Sequence, residues 1–265
     1  MNASELYRAG RLGEAIEAQV QEVKAAALDP SRRLFLFELL AFAGDLKRAR
    51  TQIEAISYRD VDLDAAVAAY AKLLDAEQAR RDLFAQGTPP GFFGEPSEHL
   101  RLRLEAVRLL RNAQNAEAAE ALRQANEAMP AVRGRLNGQP FESLRDADDL
   151  FAGILEVLAH GRYFWVGLEQ VRLLTSEPPR YPRDLLFLPA HIELEAEQGD
   201  VFIPALYPGS HEHADDQVRL GRMTDWKELD GGAMLGVGLH TLLCDDDALG
   251  LLEIREWRSE HEAEG

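Results

Sequence analysis

In the first half of the chain, apolar residues recur every three or four positions, which is the spacing of amphipathic helices. Two segments begin with typical helix starts, Asp29-Pro30-Ser31 and Glu95-Pro96-Ser97, where a side chain can cap the first turn and proline fits the backbone. The pattern predicts helices over about 3–9, 12–27, 31–43, 46–56, 62–86, 97–112 and 115–129.

A six-residue pattern, G-x-L-x-x-A, is repeated within these helices. It occurs at Gly10–Ala15 and again 34 residues later at Gly44–Ala49, and this is the period of tetratricopeptide repeats. A degraded third copy runs from Gln114 to Ala119. Glycine permits the turn of a helical hairpin, and the small alanine lets the second helix pack closely on the first. The pattern predicts stacked helical hairpins; a generic alanine-rich bundle with a chance repeat is the alternative.

The second half has the shorter apolar runs and turn residues of β-structure. A hairpin is predicted from Ile154–Leu158 and Arg162–Val166, which flank a turn at His160-Gly161. Pro204 suggests an edge strand or a bulge. Further strands are predicted over 185–194, 201–207, 232–243 and 249–257. Strands without long helices between them favour a mainly antiparallel sheet, curled into a half-barrel.

Composition supports this division of the chain. Residues 1–133 contain 28 alanines and 6 glycines, whereas residues 134–265 contain 10 alanines and 14 glycines. Alanine favours helices, while glycine is common in turns and bulges. The sequence therefore predicts a two-domain α+β protein. A tetratricopeptide-like helical superhelix would occupy 1–133, and a half-barrel-like, mainly antiparallel β domain would occupy 134–265.

Charge and cysteine content exclude several classes of protein. The chain has 29 Lys and Arg residues against 46 Asp and Glu residues, a formal net charge of −17. Proteins that bind nucleic acids or anionic membranes need basic surfaces, so neither class is expected. The single cysteine, Cys244, excludes an intramolecular disulfide and favours a reducing cytoplasm. Neither a signal peptide nor an apolar run of about 18 residues is present, so we expect no membrane segment.

Few residues suggest catalysis. His211-Glu212-His213 with Asp215 resembles a metal-binding cluster, but its polar surroundings favour a solvated loop. Asp245–Asp247 are expected to form a turn between strands, and Cys244 to be an inert thiol. The serine after Gly209 lacks a G-x-S-x-G elbow, and the glycines near residue 236 lack a phosphate-binding pattern. We therefore predict no catalytic, metal-binding or cofactor-binding residue; a metal-dependent hydrolase that uses the histidine cluster is kept as an alternative.

Dense polar and aromatic motifs in the second half are the better candidates for a binding surface. We expect Arg183 or Arg222 to pair with Asp184 or Asp225 and hold loops over the sheet. A Phe92-Phe93 pair in a loop suggests either a docking patch or two rings that cover the end of a helix pair. The predicted partner-binding residues are Tyr163, Trp165, Arg183, Asp184, Phe187, Tyr207, Arg222, Asp225 and Trp226.

The same motifs resemble those of the ImpE/SciE family, also called TagJ, which are accessory proteins of the type VI secretion system. The matching stretches include FESLRDADD (141–149), LEVLAHGRYFWV (155–166), PPRYPRDLLF (178–187), VFIPALYPGS (201–210) and LGRMTDW (220–226). Phe187 stands where the family pattern has tryptophan, which is a conservative difference. The helical half is compatible, so the resemblance covers essentially the whole chain.

The resemblance implies a cytoplasmic, non-catalytic protein without a cofactor. Such proteins bind the N-terminal helix of TssB, the small subunit of the contractile sheath, and in some systems they are linked to sheath disassembly by the ClpV ATPase. A groove that receives an amphipathic helix fits this role. It is expected near Tyr163, Trp165 and Trp226, or where the sheet meets the helices. A scaffold that self-associates through the helical half is a further alternative.

Overall fold

The first half of the chain folds into helices that pair along the sequence. The computed structural model describes residues 1–56 and 61–260. The predicted helices are confirmed, and their ends shift by a few residues at most. Asp29 caps the third helix by accepting a hydrogen bond from the Ser31 N–H at 2.9 Å. The helices are α1 (Ala3–Arg8), α2 (Leu12–Ala25), α3 (Pro30–Phe42), α4 (Leu46–Glu54), α5 (Val61–Gln86), α6 (Glu98–Arg111) and α7 (Asn115–Glu127).

The hairpins α1–α2, α3–α4 and α6–α7 all turn in the same way. Each turn contains one residue with left-handed backbone: Gly10 (φ 74°), Gly44 (φ 77°) or Ala113 (φ 56°). In each case the next residue donates its backbone N–H to the carbonyl five positions back, which satisfies the end of the first helix. The repeat in the sequence therefore encodes one type of helix-ending turn.

The third copy of the repeat lies one residue earlier than the sequence pattern predicts. The pattern begins this copy at Gln114, but the left-handed residue is Ala113. Five residues after each turn residue comes an alanine with 0% exposed surface, and these are Ala15, Ala49 and Ala118. The register was wrong because the third turn lacks the glycine that marks the other two.

The second half forms antiparallel sheets, which confirms the α+β fold class. The largest sheet has the strand order β2-β1-β13-β6-β7-β8-β4-β5. Strand β3 joins β11 and β12 in a second sheet, and β9 and β10 form a hairpin. A short helix, α8 (Asp216–Arg219), precedes β9. The strands are β1 (Gly134–Leu136), β2 (Gln139–Phe141), β3 (Leu144–Asp146), β4 (Ile154–Ala159), β5 (Arg162–Gly167), β6 (Leu173–Ser176), β7 (Phe187–Glu193), β8 (Gln198–Pro204), β9 (Thr224–Glu228), β10 (Met234–Gly238), β11 (Thr241–Cys244), β12 (Asp247–Gly250) and β13 (Glu256–Ser259).

The predicted β4–β5 hairpin is confirmed, but the edge position suggested by Pro204 is wrong. Strand β8 lies inside the sheet, between β7 and β4. Its pairing with β4 is limited to Phe202 opposite Leu158. Two residues later, Pro204 still pairs with Phe187 of β7 on the other side. Proline is tolerated there because this end of β8 has already left β4, so the ladder on that side needs no N–H.

Two long predicted strands are each interrupted. Residues 232–243 contain both β10 and β11, separated at Gly238, which has a φ of 106°. A Cβ atom at this position would lie 2.1 Å from the carbonyl oxygen of Met223, so only glycine fits. Residues 249–257 are divided by a 3₁₀ turn at Leu251–Glu253. Apolar residues continue through both breaks, so the sequence pattern did not reveal them.

The helices and the sheet share a hydrophobic cluster, which we call the shared core. Leu83 of α5 and Leu122 of α7 belong to the same buried cluster as Phe151, Trp165 and Tyr207 from the second half. The change from helix to strand falls between the end of α7 and the start of β1. The division into domains at 1–133 and 134–265 stays a prediction.

We expect Ala113→Gly to stabilise the protein against urea by roughly 0.5–1 kcal/mol. A side chain in left-handed backbone costs about 1–2 kcal/mol, which exceeds the roughly 0.5–1 kcal/mol of extra chain entropy that glycine loses on folding. Gly44→Ala should have the opposite effect, because its Cβ would lie 2.1 Å from Cδ2 of His211. Gly13→Ala is the control: the site is helical, and the added Cβ would meet no atom within 4 Å outside its own turn of helix. An unchanged or lower urea midpoint for Ala113→Gly would contradict this explanation of the turn.

Candidate functional site

Four of the predicted partner-binding residues lie inside the shared core. Trp165 is 0% exposed and Tyr207 1%, while Tyr163 and Phe187 are each 3% exposed. Strand β5 is covered on both faces, so its side chains do not follow the in-and-out alternation of a half-exposed strand. These aromatic residues therefore form packing contacts in the structure, and their role in binding a partner stays a prediction.

A buried ion pair connects helix α5 to the sheet. Arg80 donates to both carboxylate oxygens of Glu156 on β4, at 2.7 and 2.6 Å. Its Nη2 group also donates to the carbonyl oxygen of Leu206 at 2.7 Å. Burial alone would raise the pKa of Glu156, but the charges and hydrogen bonds of Arg80 and His240 lower it to about 2. The pair is therefore charged at neutral pH.

His240 extends this ion pair into a buried network. Its Nδ1 atom lies 2.7 Å from Oδ2 of Asp146, and its Nε2 atom lies 3.2 Å from Oε2 of Glu156. Burial alone would lower the pKa of His240, but the two carboxylates raise it to about 9. The protonated imidazole then donates at both nitrogens. Tyr207 donates its hydroxyl to Asp146, and Tyr163 donates to Glu156.

Arg183 connects the sheet to the helices, but not through the partner that the sequence suggested. Its Nη1 group donates to Oε1 of Glu38 on α3 at 2.6 Å, and its Nε group donates to the hydroxyl of Tyr70 on α5 at 2.7 Å. Asp184 instead accepts the backbone N–H groups of Arg180 and Tyr181 at 2.9 and 3.0 Å. Burial raises the pKa of Glu38 to about 7, despite the nearby Arg183.

The expected pairing of Arg222 is also wrong. Arg222 donates to the backbone carbonyls of Tyr7 and Arg8 at the end of α1, at 2.7 and 3.0 Å. Asp225 lies 3.4 Å from Nε2 of His213. Arg183 and Arg222 therefore both attach the second half to the helices, whereas their predicted partners lie in neighbouring loops.

Trp226 is half-buried, with its ring centre 5.9 Å from that of Tyr207.

The histidine cluster does not converge on one point. The ring of His211 packs beside Gly44 in the α3–α4 turn, where an added Cβ would lie 2.1 Å from it. Asp215 caps α8 through the N–H of Gln217 at 2.8 Å. Asp216 accepts the N–H of Leu12 at 2.7 Å. In the part of the chain that the structure describes, no group of three or more His, Cys, Asp or Glu side chains is placed to hold a metal ion.

The turn predicted at Asp245 is confirmed. Asp245 has a φ of 52° between β11 and β12, and Oδ1 of its carboxylate accepts the N–H groups of Glu142 and Ser143 at 3.0 and 2.8 Å. Neighbouring Cys244 is half-buried, and burial together with Asp245 and Asp247 raises its thiol pKa. A raised pKa leaves less of the reactive thiolate at neutral pH.

The loop with the two phenylalanines covers the edge of the sheet, and Phe92 also packs on the buried cluster that the helices share with the sheet. The ring of Phe93 stacks on that of Phe164 of β5 with 4.9 Å between their centres. Gly91 donates to the carbonyl of Tyr163 at 2.8 Å and accepts from the N–H of Trp165 at 3.0 Å. The loop thus satisfies backbone groups that an edge strand would otherwise expose.

An open groove lies where α5 meets the sheet, which is one of the two expected places, but none of the predicted partner-binding residues lines it. Its volume is about 420 Å³. One wall is a stripe of α5 on which Ala65, Ala68 and Ala69 are exposed. The opposite wall contains Leu158 of β4 and Phe202 of β8. We call this the junction groove; its remaining lining residues are Lys72, Leu73, Ala76, Ala159, His160, Gly161 and Asp200.

The junction groove continues over the outer face of the sheet. A second, shallower depression of about 610 Å³ lies beside it over β6, β7 and β8. The two share Asp200 and Phe202 as lining residues. The only sequence signal for this surface is the run of alanines at the start of α5. Such a run is equally consistent with a buried packing face and with an exposed groove wall. None of the helices in the described residues is both long and apolar enough to cross a bilayer.

The chain is similar to known proteins in both sequence and fold. The family model described as ImpE protein matches residues 138–258. The chain is 39% identical to a Pseudomonas aeruginosa protein named type VI secretion system accessory component TagJ, over 257 residues that cover 97% of this chain and 90% of the relative. It is also similar to the crystal structure of protein VPA1032 from Vibrio parahaemolyticus, with a TM-score of 0.88, 25% identity and 98% of each chain covered. The two-domain α+β fold is therefore shared with a solved structure.

We expect the stability of the protein to fall as the pH rises from 7 to 9, because His240 loses its proton. Its pKa is about 9 in the folded state, above the value of about 6.5 for an unperturbed histidine. Its contribution is therefore fully present below pH 6.5 and is lost as the pH rises through 9, by roughly 3 kcal/mol in total. Glu38 and Asp148, whose folded pKa values are raised to about 7, lose most of their contributions below pH 7 and the small remainder by about pH 8, so the loss between pH 8 and 9 is assigned to His240.

Urea unfolding at pH 7, 8 and 9 measures this slope. His240→Gln should be less stable than the unmodified protein at pH 7, and its stability should vary little from pH 7 to 9. His191→Gln, at a partly exposed histidine on β7, is the control and should keep the original slope. An equal slope in His240→Gln would assign the alkaline loss of stability to another group.

Proposed function

Because the chain belongs to the ImpE family of type VI secretion accessory proteins, we propose that it is a cytoplasmic, non-catalytic adaptor that binds the N-terminal helix of the small sheath subunit, TssB. The accessory role is the one named for its Pseudomonas aeruginosa relative. The observation that supports helix binding in this chain is the junction groove, an open apolar channel that lies along a helix. By holding the sheath helix there, the adaptor would modulate sheath assembly or its ClpV-driven disassembly.

The walls of the junction groove suit a helical ligand. Ala65, Ala68 and Ala69 follow helical spacing, so they present one small-residue face of α5. Small side chains let two helices approach closely, and Phe202 on the opposite wall gives an apolar contact for larger side chains of the ligand. An amphipathic helix would fill such a channel with residues at positions i, i+3, i+4 and i+7.

The surroundings of the candidate catalytic residues support a binding role. His211 packs on a helical turn, Asp215 caps a helix, and Asp216 accepts a backbone N–H from α2. The carboxylates, histidine and arginine of the buried network are paired with one another beneath α5. These contacts hold elements of the fold together, which is the role that the structure gives to these side chains.

We expect one-to-one binding of a synthetic peptide with the sequence of the cognate TssB N-terminal helix. Isothermal titration should give micromolar affinity or better, about −8 kcal/mol. Ala68→Arg should weaken binding at least about tenfold, because the arginine side chain would occupy the groove. Position 68 is exposed on α5, so the substitution should leave the fold intact.

Ala66→Arg is the matched control. Ala66 is exposed on the same helix, only two residues away, but it does not line the groove. This variant carries the same added charge and should bind like the unmodified protein. No binding by the folded, unmodified protein would reject the TssB proposal. Equal affinity of the two variants would place the site elsewhere on the molecule. Light scattering on the same samples tests the scaffold alternative, which requires self-association.

A further inference from the structure

Arg183 lies behind the junction groove, in the 3₁₀ turn that leads into β7. From this position on the sheet it reaches two helices. Its Nη1 group donates to Glu38 of α3 at 2.6 Å, and its Nε group donates to the Tyr70 hydroxyl of α5 at 2.7 Å. Because Glu38 is only 4% exposed, the charged hydrogen bond is shielded from water.

Tyr70 links Arg183 to the wall of the junction groove, because its ring packs against a residue that lines the groove. Its ring centre lies 5.8 Å from that of Phe37 in the helical core and 6.0 Å from that of Phe202. Phe202 is a lining residue of the groove. Tyr70 belongs to the same helix as the alanine wall, so its position relative to Phe202 determines how far the two walls are apart.

The guanidinium of Arg183 is held in place on its other side as well. It stacks on the exposed ring of Tyr181, with 4.0 Å between Cζ and the ring centre. The backbone at Tyr181 is in turn held by the carboxylate of Asp184, at 3.0 Å. A side chain that is fixed on both sides can position a third group with little loss of conformational entropy on binding.

We infer that Arg183 is a positioning residue of the junction groove, and that it holds α5 at a fixed separation from β8 through the hydroxyl of Tyr70. The inference rests on the proposed function only for the identity of the ligand. The part of α5 that forms the groove wall has exposed alanines on its groove side, which add little packing of their own. The hydrogen bond from Arg183 to Tyr70 supplies a directional contact behind this wall.

Tyr70→Phe tests the inference without disturbing the core, because it keeps the ring and removes only the hydroxyl. We expect this variant to bind the TssB helix peptide roughly fivefold more weakly or worse, as expected for the loss of a hydrogen bond to a charged group that preorganises the site. Its urea midpoint should fall moderately, because Nε of Arg183 loses its acceptor, but the variant should remain folded without urea. Tyr7→Phe is the matched control, since Tyr7 also faces an arginine, Arg222, but at α1 and away from the groove.

A distance measurement tests the positioning directly and needs no peptide. Spin labels at Ala66→Cys on α5 and Gln198→Cys on β8, both exposed sites, would report the separation of the two elements in a Cys244→Ser background. Pulsed electron paramagnetic resonance should show a shifted or broader distance distribution for Tyr70→Phe and an unchanged distribution for Tyr7→Phe.

The two measurements separate the inference from the proposed function. An unchanged distance distribution in Tyr70→Phe overturns the inference, and so does a changed distribution with unaltered peptide affinity. If the unmodified protein binds no peptide, the TssB proposal fails, and the distance distribution alone then decides whether Arg183 positions α5. A changed distribution together with weakened binding supports both.

Discussion

The buried ion pair between Arg80 and Glu156 is the constraint on which the arrangement of the helices and the sheet depends. Removing two charges from water costs several kcal/mol for each ion, and only good geometry with further hydrogen bonds repays this cost. Here the guanidinium contacts both carboxylate oxygens and a backbone carbonyl, while His240 contacts the carboxylate from the other side. A shift of α5 along or away from the sheet would leave a buried charge without its partner. The pair therefore fixes where α5 lies on the sheet.

The junction groove follows from this fixed position. Helix α5 has 26 residues, which corresponds to a length of about 39 Å, and Arg80 lies in its C-terminal half. The β4–β5 turn meets the helix near Lys72, whose carbonyl oxygen would be 3.7 Å from a Cβ on Gly161. Toward the N-terminus beyond this contact, the exposed alanines line the groove opposite Phe202. An open apolar groove results because the helix extends past the part of the sheet to which the ion pair attaches it.

Local features could be predicted from the sequence, and long-range pairings could not. Helix positions, the turns at Gly10 and Gly44 and the β4–β5 hairpin depend on residues close together in the chain, so their patterns were read correctly. Arg183 was assigned a nearby aspartate, whereas its partner Glu38 lies 145 residues away. Composition and spacing contain no information about such a pairing.

The burial of the aromatic residues and the identity of the residues that line the groove could not be predicted for a different reason. A strand covered on both faces, such as β5, has no polar alternation, so Trp165 could be read either as a core residue or as part of an exposed aromatic surface. The alanines of α5 are also ambiguous, because the sequence does not show whether they are covered or exposed. A small-residue face is equally suitable for packing inside a protein and for receiving a second helix. Whether such a face is covered depends on where a distant ion pair places the helix, and the sequence of α5 does not contain that information.

Arg80 and Arg183, two of the arginines that join the halves, differ in how firmly they can hold them. Glu156 has a pKa of about 2, so its pair with Arg80 keeps both charges throughout the range of pH in which cells live. Glu38 has a pKa raised to about 7 by burial, so the charge opposite Arg183 is only partly present at neutral pH. The stronger contact lies under the C-terminal half of α5, and the weaker one lies behind the groove. Surfaces that bind partners are commonly drawn from the less stable parts of a fold. The contact of Arg183 with Glu38 therefore weakens first as the pH falls, while the hydrogen bond from Arg183 to the Tyr70 hydroxyl still positions the groove wall and the Arg80 pair keeps the two halves joined.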